Sequence, residues 1–432
     1  MRVAFVSPLP PAATGIADYA ADVLQALAPA HEIDVYHGPQ AVDAGLLPPG
    51  CAARPAAALP AEHARHRYDA VVYQLGNGLE HAFLYPLLPR VPGLLVLHDL
   101  VLHHSRARML LDDDAARAYA REPWSEERRR QAAPSAGRYA AEVAYSHPAA
   151  AERLVLAQRD TVGDLLAYAY PLFRLPVEAS RVVAVHNAFM AGAVRDEVPD
   201  ADVLEVAMPV RPLPVPPGAA AAVRARHGIA PGAFVVGCFG LLTREKQVGV
   251  VARAVARAAA HVPGLRLLLV GDTPDRAALQ RRLEASGAAG VATVAGRVPF
   301  AELAASLEAC DMVAHLRYPT ARETSAALLR ALAQGRPTVM SDLENLAEVP
   351  ADAVVRADPT DEEGDLLRAI LRLAADRGRG AALGAAARAF AARAHSPERC
   401  RATYEVALAR TAAGSDPRRA GWPAHWRAEA AR

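Results

Sequence analysis

The chain has 432 residues, which is enough for two or three domains with sizeable cores. Its 48 basic and 47 acidic residues leave a formal net charge of +1, so it lacks the basic excess of nucleic-acid-binding proteins. No apolar run approaches a membrane span, no secretory signal is visible, and the four cysteines lack metal-binding spacing. We therefore expect a cytoplasmic globular protein with no nucleic-acid partner.

Short apolar runs alternate with helical stretches, which predicts parallel sheets covered by helices. In the first half of the chain, the predicted strands are Val3–Ser7, Ile33–Tyr36, Ala70–Gln74, Leu94–Leu97, Val182–His186 and Val203–Val206. In the second half, they are Phe234–Phe239, Leu265–Val270, Val291–Ala295, Met312–Leu316, Thr338–Ser341 and Ala353–Val355. A proline-rich segment at 209–218 predicts a connector between two domains, and residues 105–180 predict a helical insertion in the first.

The first loop, at residues 8–19, leads from the first strand into a helix with an apolar stripe. Thr14 is predicted to cap this helix, and Gly15 would allow close approach to an anion at the helix N-terminus. Asp18 follows in the first turn. The loop lacks the glycine pattern of dinucleotide-binding proteins, and taken alone it is equally well explained as a plain proline-rich turn.

Two later strands end in polar side chains. Gln74, Asn77 and His81 supply amides and an imidazole that suit hydroxyl recognition, although a turn chosen for its backbone angles is the alternative. His98 and Asp99 end the next strand, and His98 is the better candidate for a substrate contact.

A metal site is the alternative for this second strand end, because His103 and His104 follow closely. The spacing does not match a helical zinc motif, and ligands would have to come from elsewhere in the chain. We therefore predict no metal there.

Lys246 is the only lysine among the 48 basic residues. It lies between a predicted buried strand and a helix predicted over residues 248–260. A compact ammonium at such a turn is suited to hold a phosphate as a point charge, a task that arginine performs differently. The alternative interpretation is that Lys246 lies on a solvated loop, has no functional role and is a lysine only by chance.

Glu323 precedes a helix predicted over Ala326–Ala333, with Thr324 and Ser325 at its first turn. The carboxylate can accept hydrogen bonds from sugar hydroxyls, and the first N–H groups of the helix can face a phosphate. The alternative is a simple helix-terminal charge, worth about a few tenths of a kcal/mol.

In their order and spacing, these segments resemble the retaining glycosyltransferases of family 4, the group 1 glycosyltransferases, over nearly the whole chain. Further pieces of the pattern are the turn from Gly240 to Lys246, Val270-Gly271-Asp272, Gly296-Arg297-Val298, Asp311 and residues 333–337. The resemblance implies an α/β GT-B fold, with two Rossmann-like domains whose parallel sheets face each other across a cleft.

On this basis we expect an acceptor-binding domain over residues 1–208, which contains the insertion, and a nucleotide-sugar-binding domain over residues 219–395. Residues 396–432 would supply a helix that returns to the first domain. The enzyme would move a sugar from a nucleotide-diphosphate-sugar to an unknown glycan, lipid-linked or small-molecule acceptor, with retention. No metal or other cofactor is expected, since cationic side chains and helix N-termini neutralise the leaving diphosphate. Peripheral membrane contact stays open.

The resemblance and the strand-end residues together assign the site. His98, Glu323 and Lys246 are the expected catalytic residues. The expected donor-binding residues also include Gly15, Gly240, Arg244, Arg297, Thr324, Ser325 and Arg330. The expected acceptor or sugar contacts are Asp18, Gln74, Asn77, His81 and Asp99.

The chain departs from the family pattern at three positions. Leu241 replaces the usual arginine, for which Arg244 would substitute. Arg322 and Arg330 stand where the family has two glutamates, with Glu323 shifted by one residue and Arg330 expected on nearly the same helix face. The missing glutamates support a rival hypothesis, a catalytically silent protein that binds a glycan or a partner. A nicotinamide-dependent oxidoreductase is a third, weaker option.

Overall fold

The structure is a computed structural model that describes residues 1–12, 14–40, 42–111, 126–159 and 163–432. The chain divides into two compact units. The N-terminal unit comprises residues 1–209, 321–324 and 397–432, and the C-terminal unit comprises residues 210–320 and 325–396. The short segment at 321–324 therefore clusters with the N-terminal unit, whereas the sequence analysis assigns it to the second domain.

The strands of both units are parallel to their neighbours. In the N-terminal unit they are β1 Arg2–Val6, β2 Glu32–His37, β3 Ala52–Pro55, β4 Ala70–Leu75, β5 Leu94–Leu97, β6 Val182–Val185 and β7 Val203–Glu205. In the C-terminal unit they are β8 Val235–Phe239, β9 Arg266–Val270, β10 Ala292–Gly296, β11 Met312–His315, β12 Thr338–Ser341 and β13 Val355–Ala357. Eleven of the predicted strands are confirmed in place, whereas β13 begins only at Val355, the last residue of the predicted Ala353–Val355. Among the described strands, β3 is the one that was not predicted.

The described helices, in chain order, are α1 Gly15–Leu27, α2 Leu59–His66, α3 His103–Leu111, α4 Glu126–Ser146, α5 Ala151–Arg159, α6 Gly163–Ala169, α7 Arg174–Glu178, α8 Ala188–Glu197, α9 Ala219–Arg226, α10 Val248–Ala259, α11 Arg276–Ala285, α12 Phe300–Glu308, α13 Ala326–Ala333, α14 Glu362–Ala375, α15 Arg377–Ala394, α16 Pro397–Ala413 and α17 Ala424–Ala430. The expected insertion is helical where it is described, and its residues 112–125 and 160–162 lie outside the described part of the chain. Among the described helices, none combines the length and apolar character needed to cross a membrane.

Central strands are buried on both faces, and this is why they appear in the sequence as continuous apolar runs. Val3, Ala4, Phe5 and Val6 of β1 are all 0% exposed. Such runs are typical of parallel sheets that carry helices on both sides. Helix α1 packs its predicted stripe inward, and Thr14 caps it by accepting a hydrogen bond from the Ile16 N–H at 3.3 Å.

The strand order in each sheet shows where the topology of that sheet reverses. In the N-terminal unit the order is β3-β2-β1-β4-β5-β6-β7, so the chain changes direction between β1 and β4. In the C-terminal unit the order is β10-β9-β8-β11-β12-β13, so the change falls between β8 and β11. Open α/β sheets bind ligands beyond the carboxyl ends of their strands at such points.

Candidate functional site

In the C-terminal unit, two glycines bring the loops after β8 and β9 into close contact. Gly240 has a φ of +105° and donates its N–H to the Val270 carbonyl at 3.0 Å. Gly271 has a φ of +144°, and a Cβ built there would lie 1.8 Å from the Gly240 carbonyl oxygen. Only glycine fits at position 271, because both the backbone angle and the space exclude a side chain.

Lys246 is buried in the turn that follows. It ends a short 3₁₀ turn at Arg244–Lys246 and is 4% exposed, which excludes the interpretation of a solvated surface lysine. A Cβ built on Gly240 would lie 3.4 Å from the Lys246 Nζ, so the absence of a side chain at 240 leaves room beside the ammonium. The single lysine of the chain is therefore enclosed at the carboxyl end of β8.

His315 ends the neighbouring strand β11 and brings a second nitrogen-bearing group to this edge. Burial, together with the charges of Lys246 and Arg317, holds the pKa of His315 well below its ordinary value. The imidazole is therefore neutral and can accept or donate a hydrogen bond without competing for an anion.

Backbone contacts hold the Lys246 turn against the loop after β11. Tyr318 donates its N–H to the Glu245 carbonyl at 2.9 Å, and Gln247 donates its side-chain N–H to the Tyr318 carbonyl at 2.6 Å. The Arg317 N–H in turn donates to the Ser341 hydroxyl oxygen at 2.9 Å. The two loops on either side of the switch point between β8 and β11 are thus one connected structure.

Helix α13 begins at the same edge of the C-terminal sheet. Ser325 is its N-cap and accepts a hydrogen bond from the Leu328 N–H at 3.4 Å. Arg330 lies within the helix, and its guanidinium is 4.6 Å from the centre of the Phe300 ring. Two further expected donor contacts are exposed: Arg244 begins the 3₁₀ turn that ends at Lys246, and Arg297 follows β10 in a loop.

The expected helical relation between Glu323 and Arg330 is wrong. Helix α13 starts only at Ala326, so Glu323 precedes it and the two side chains do not share a helix face. Arg322 adopts the left-handed conformation, with a φ of 64°, which interrupts any helical register before Glu323. Glu323 also belongs to the N-terminal unit, whereas Arg330 belongs to the C-terminal unit.

In the N-terminal unit, a buried hydrogen-bonded network surrounds His98. The His98 Nε2 lies 2.8 Å from the Gln74 side-chain oxygen, and its Nδ1 lies 3.2 Å from the His186 Nε2. The Gln74 side-chain nitrogen lies 3.2 Å from the Tyr404 hydroxyl, and this hydroxyl lies 2.6 Å from that of Tyr19. Residues from β4, β5, β6, α1 and α16 thereby meet at one carboxyl edge.

The network also constrains the protons on the two histidines. Burial and the neighbouring His186 and His81 hold the pKa of His98 well below its ordinary value, so His98 is neutral. The His186 Nδ1 donates to the Val206 carbonyl, 2.9 Å away, since a carbonyl can only accept. If the His98 Nε2 donates to the Gln74 side chain, the His98 Nδ1 must accept from the His186 Nε2, and both nitrogens of His186 then carry protons. If the Gln74 amide is rotated by half a turn, Gln74 donates to the His98 Nε2 instead, and both rings are neutral. Burial disfavours an imidazolium, so we assign the second arrangement.

Direct contact of His98 with a sugar stays a prediction. In this arrangement the ring is 5% exposed, and both of its nitrogens are within hydrogen-bonding distance of protein groups. Gln74 and His81 are buried as well, and the His81 Nδ1 donates to the Gln74 carbonyl at 2.9 Å, while burial lowers the pKa of His81 to about 4. His98, Gln74 and His81 are therefore buried residues that pack beneath the carboxyl edge of the N-terminal sheet.

The other expected contacts of this unit lie nearer the surface. Asp99 and Asn77 are half-buried, and the Asp99 carboxylate accepts a hydrogen bond from the Asn77 backbone N–H at 2.7 Å. Asp18 and Gly15 are exposed at the start of α1, and nothing lies within 4 Å of a Cβ built on Gly15. This end of α1 is therefore open.

The histidines that raised the metal alternative have protein partners. The His103 Nδ1 donates to the Tyr170 carbonyl at 2.5 Å, and the His103 Nε2 lies 2.6 Å from the Tyr139 hydroxyl. The His104 Nδ1 lies 3.3 Å from the Asn77 amide nitrogen. In the described part of the chain, no group of three His, Cys, Asp or Glu side chains is arranged to hold a metal ion.

Sequence reasoning missed His186, Asn187, His315 and Tyr404. The first three follow or end buried strands, so the rule that selected His98 at the end of β5 could also have selected them. Tyr404 carries no such signal, because it lies in the middle of α16 and its partner Gln74 is 330 residues away in sequence.

Comparison with known proteins relates this geometry to a family. Residues 233–376 match the family model of the group 1 glycosyl transferases, and this segment contains Gly240, Lys246, His315 and Glu323. D-inositol 3-phosphate glycosyltransferase of Nocardia farcinica is 32% identical over 207 residues, which cover 44% of this chain and 45% of that protein. The match thus spans less than half of this curated relative.

Solved structures extend the similarity to almost the whole chain. Sucrose-phosphate synthase from Thermosynechococcus elongatus has a TM-score of 0.62 and 18% identity, over 94% of this chain and 98% of that one. Anabaena HepE, in a complex with UDP and glucose, has a TM-score of 0.61 and 16% identity, over 95% of this chain and 99% of its own. At such identities the likeness shows the fold. The chain has the GT-B class of α/β architecture, with one parallel sheet in each of two domains.

Proposed function

We propose that this chain is a retaining glycosyltransferase of family 4, which moves a sugar from a nucleotide-diphosphate-sugar to a separate acceptor. The reaction replaces the bond between the anomeric carbon and the diphosphate with a bond to an acceptor oxygen. The acceptor's proton is lost and a nucleoside diphosphate leaves. The acceptor is a glycan, a lipid-linked glycan or a small molecule, and the reaction takes place in the cytoplasm.

The buried Lys246 is the observation that carries this proposal. Its ammonium lies at the carboxyl end of β8, where it can bind an anion as a point charge, and a nucleotide diphosphate is such an anion. The segment around Lys246 matches the group 1 glycosyl transferases, and the Anabaena relative was solved with UDP and glucose bound. Lys246 would neutralise the diphosphate as it leaves, with help from the N–H groups at the start of α13.

The N-terminal unit would bind the acceptor and support the reacting sugar. The open start of α1, with Gly15 and Asp18, offers backbone N–H groups and a carboxylate to an incoming hydroxyl. Asn77 and Asp99 are half-buried at the ends of β4 and β5 and suit the same task. His98, held by Gln74 and His186, would define the wall of the sugar site.

The test is a transfer assay against a panel of UDP-, GDP- and ADP-sugars, with release of the nucleoside diphosphate as the readout. We expect Lys246→Ala to lower the transfer rate by at least about 100-fold, which corresponds to roughly 3 kcal/mol of charge stabilisation. Asp275→Asn, a conservative change in the N-cap of α11, is the matched control and should leave the rate unchanged. Near-parental activity in Lys246→Ala would refute the role of the ammonium.

Independence from metal ions is part of the same proposal. Treatment with a chelator should leave transfer unchanged, because the diphosphate charge is met by Lys246 and helix N–H groups. Stoichiometric zinc that is lost together with activity on chelation would contradict this.

A catalytically silent glycan- or partner-binding protein is the second candidate. Arg322 and Arg330 favour it, because an arginine cannot accept the hydrogen bonds that a glutamate accepts from ribose hydroxyls. This candidate predicts nucleotide-sugar binding in a thermal-shift screen with neither transfer nor hydrolysis.

A further inference from the structure

We propose that Asn187 is a positioning residue that fixes the backbone on both sides of Glu323. This inference rests on the proposed function and on the expectation from the sequence that Glu323 accepts hydrogen bonds from the transferred sugar. Asn187 follows strand β6, is 2% exposed, and caps helix α8 by accepting a hydrogen bond from the Met190 N–H at 2.9 Å.

The oxygen and the nitrogen of the Asn187 side-chain amide make hydrogen bonds to different parts of the chain. Its oxygen makes the helix cap, which leaves the NH2 group for the segment at residues 321–324. This NH2 donates to the Arg322 carbonyl at 3.1 Å and to the Thr324 hydroxyl oxygen at 3.1 Å. One buried side chain thus holds the residue before Glu323 and the residue after it.

Further contacts anchor the same segment within the N-terminal unit. The Thr324 hydroxyl donates to the His186 carbonyl at 3.3 Å, and the Leu100 N–H donates to the Ala321 carbonyl at 2.9 Å. The Arg322 guanidinium lies 4.8 Å from the centre of the Phe189 ring. The segment is therefore tied to the residues that follow β5 and β6, the two strands that end at His98 and His186.

Backbone strain explains why such anchoring is needed. Arg322 has a φ of 64°, a conformation that a non-glycine residue adopts only when its surroundings enforce it. The bond from Asn187 to the Arg322 carbonyl is one of the contacts that enforce it. Loss of this bond should let Arg322 relax toward negative φ, and the side chain of Glu323 would then point elsewhere.

We call the two hydrogen bonds from the Asn187 NH2 group to Arg322 and Thr324 the clamp. Two substitutions separate the effect of the clamp from that of the helix cap. Asn187→Asp and Asn187→Ser both keep a good N-cap oxygen, but neither has an NH2 group to donate to the Arg322 carbonyl. Because only the first introduces a charge, agreement between the two variants assigns their effect to the missing donor.

The first measurement needs no substrate. Trypsin can cut after Arg322, and the exposed Arg297 in the C-terminal unit offers a reference cut in the same molecule. We expect the ratio of cleavage at Arg322 to cleavage at Arg297, measured by mass spectrometry, to rise at least about fivefold in both variants, as local opening becomes easier. An unchanged ratio would overturn the clamp.

The second measurement uses the nucleotide-sugar that the wild-type protein turns over fastest in the panel. We expect kcat to fall by at least about tenfold, since a misplaced carboxylate costs rate, while the KM of the donor changes much less.

The outcomes distinguish this inference from the proposed function. A wild-type protein without any transfer activity would count against the proposed function, and the trypsin ratio alone would then decide the clamp. A raised trypsin ratio with unchanged kcat would show that Asn187 does not act through Glu323.

Discussion

Glu142 is the most heavily bonded buried carboxylate that the described residues contain, and its charge should stabilise the N-terminal unit. Arg106 donates to both of its oxygens, at 2.6 and 2.7 Å. The ring nitrogens of His425 and Trp426, in helix α17, lie 2.7 and 2.8 Å from one of those oxygens. Burial alone would raise the pKa of Glu142, but Arg106, His425 and Trp426 outweigh burial and lower it to about 2.

The size and sign of the effect follow from this shift. A carboxyl whose pKa falls from about 4.3 in the unfolded chain to about 2 contributes roughly 3 kcal/mol of folding free energy. Because the folded pKa is lowered, the contribution is complete above about pH 4.5 and is lost as the pH falls toward 2. We expect Glu142→Gln to lower the free energy of unfolding by roughly 3 kcal/mol at pH 7 and by about 1.4 kcal/mol at pH 3, because the stabilisation from the wild-type carboxylate has fallen by slightly more than half at that pH.

Urea unfolding followed by tryptophan fluorescence measures this contribution, since none of the three tryptophans falls within residues 210–396. Glu405→Gln removes an exposed pair with Arg401 and should change the free energy of unfolding by less than about 1 kcal/mol at either pH. A Glu142→Gln deficit of the same size at pH 7 and pH 3 would refute the reasoning, because the loss would then not depend on the charge.

Two further changes test the candidate site. Gly271→Ala should destabilise the C-terminal unit by at least about 2 kcal/mol and weaken nucleotide binding, because the new Cβ would collide with the Gly240 carbonyl. Thermal unfolding and nucleotide titration measure these effects, and Gly290→Ala is the control because the space around Gly290 is open. Glu323→Ala should abolish transfer, whereas Arg330→Ala should raise the donor KM more than it lowers kcat; full activity of the first variant and none of the second would reverse the assignment.

The sheets could be predicted from the sequence because their strands are buried on both faces. A strand such as β1, with four residues at 0% exposure, leaves a continuous apolar run that needs no knowledge of its neighbours. Strand β3 was missed because it is not buried in this way. Its residues Ala52–Pro55 lie at the sheet edge, are largely exposed and end in a proline, so no apolar pattern marks them.

The position of two candidate residues at the ends of buried strands was predictable from the sequence, and their contacts were less so. The structure places His98 directly after β5 and Lys246 in the turn after β8, while their roles stay predictions. The partners of His98 are another matter, since His186 is 88 residues away and Gln74 is 24 residues away in sequence. Pairings at such separations depend on the register of neighbouring strands, and local patterns do not encode that register.

Arg322 and Arg330 replace the family's two glutamates, and the local structure indicates that the two replacements differ in their expected effect on function. Spacing counted back from Gly335 assumes a continuous helix, but α13 begins at Ala326 and Arg322 is left-handed. In a non-helical segment, residue spacing does not fix where a side chain lies, so the shift by one residue does not by itself argue against activity. Arg330 lies within α13, where the helical register is fixed, and it stacks on Phe300. The replacement at 330 is therefore the one that should alter how a ribose is held, and donor selectivity is where its effect should be measured.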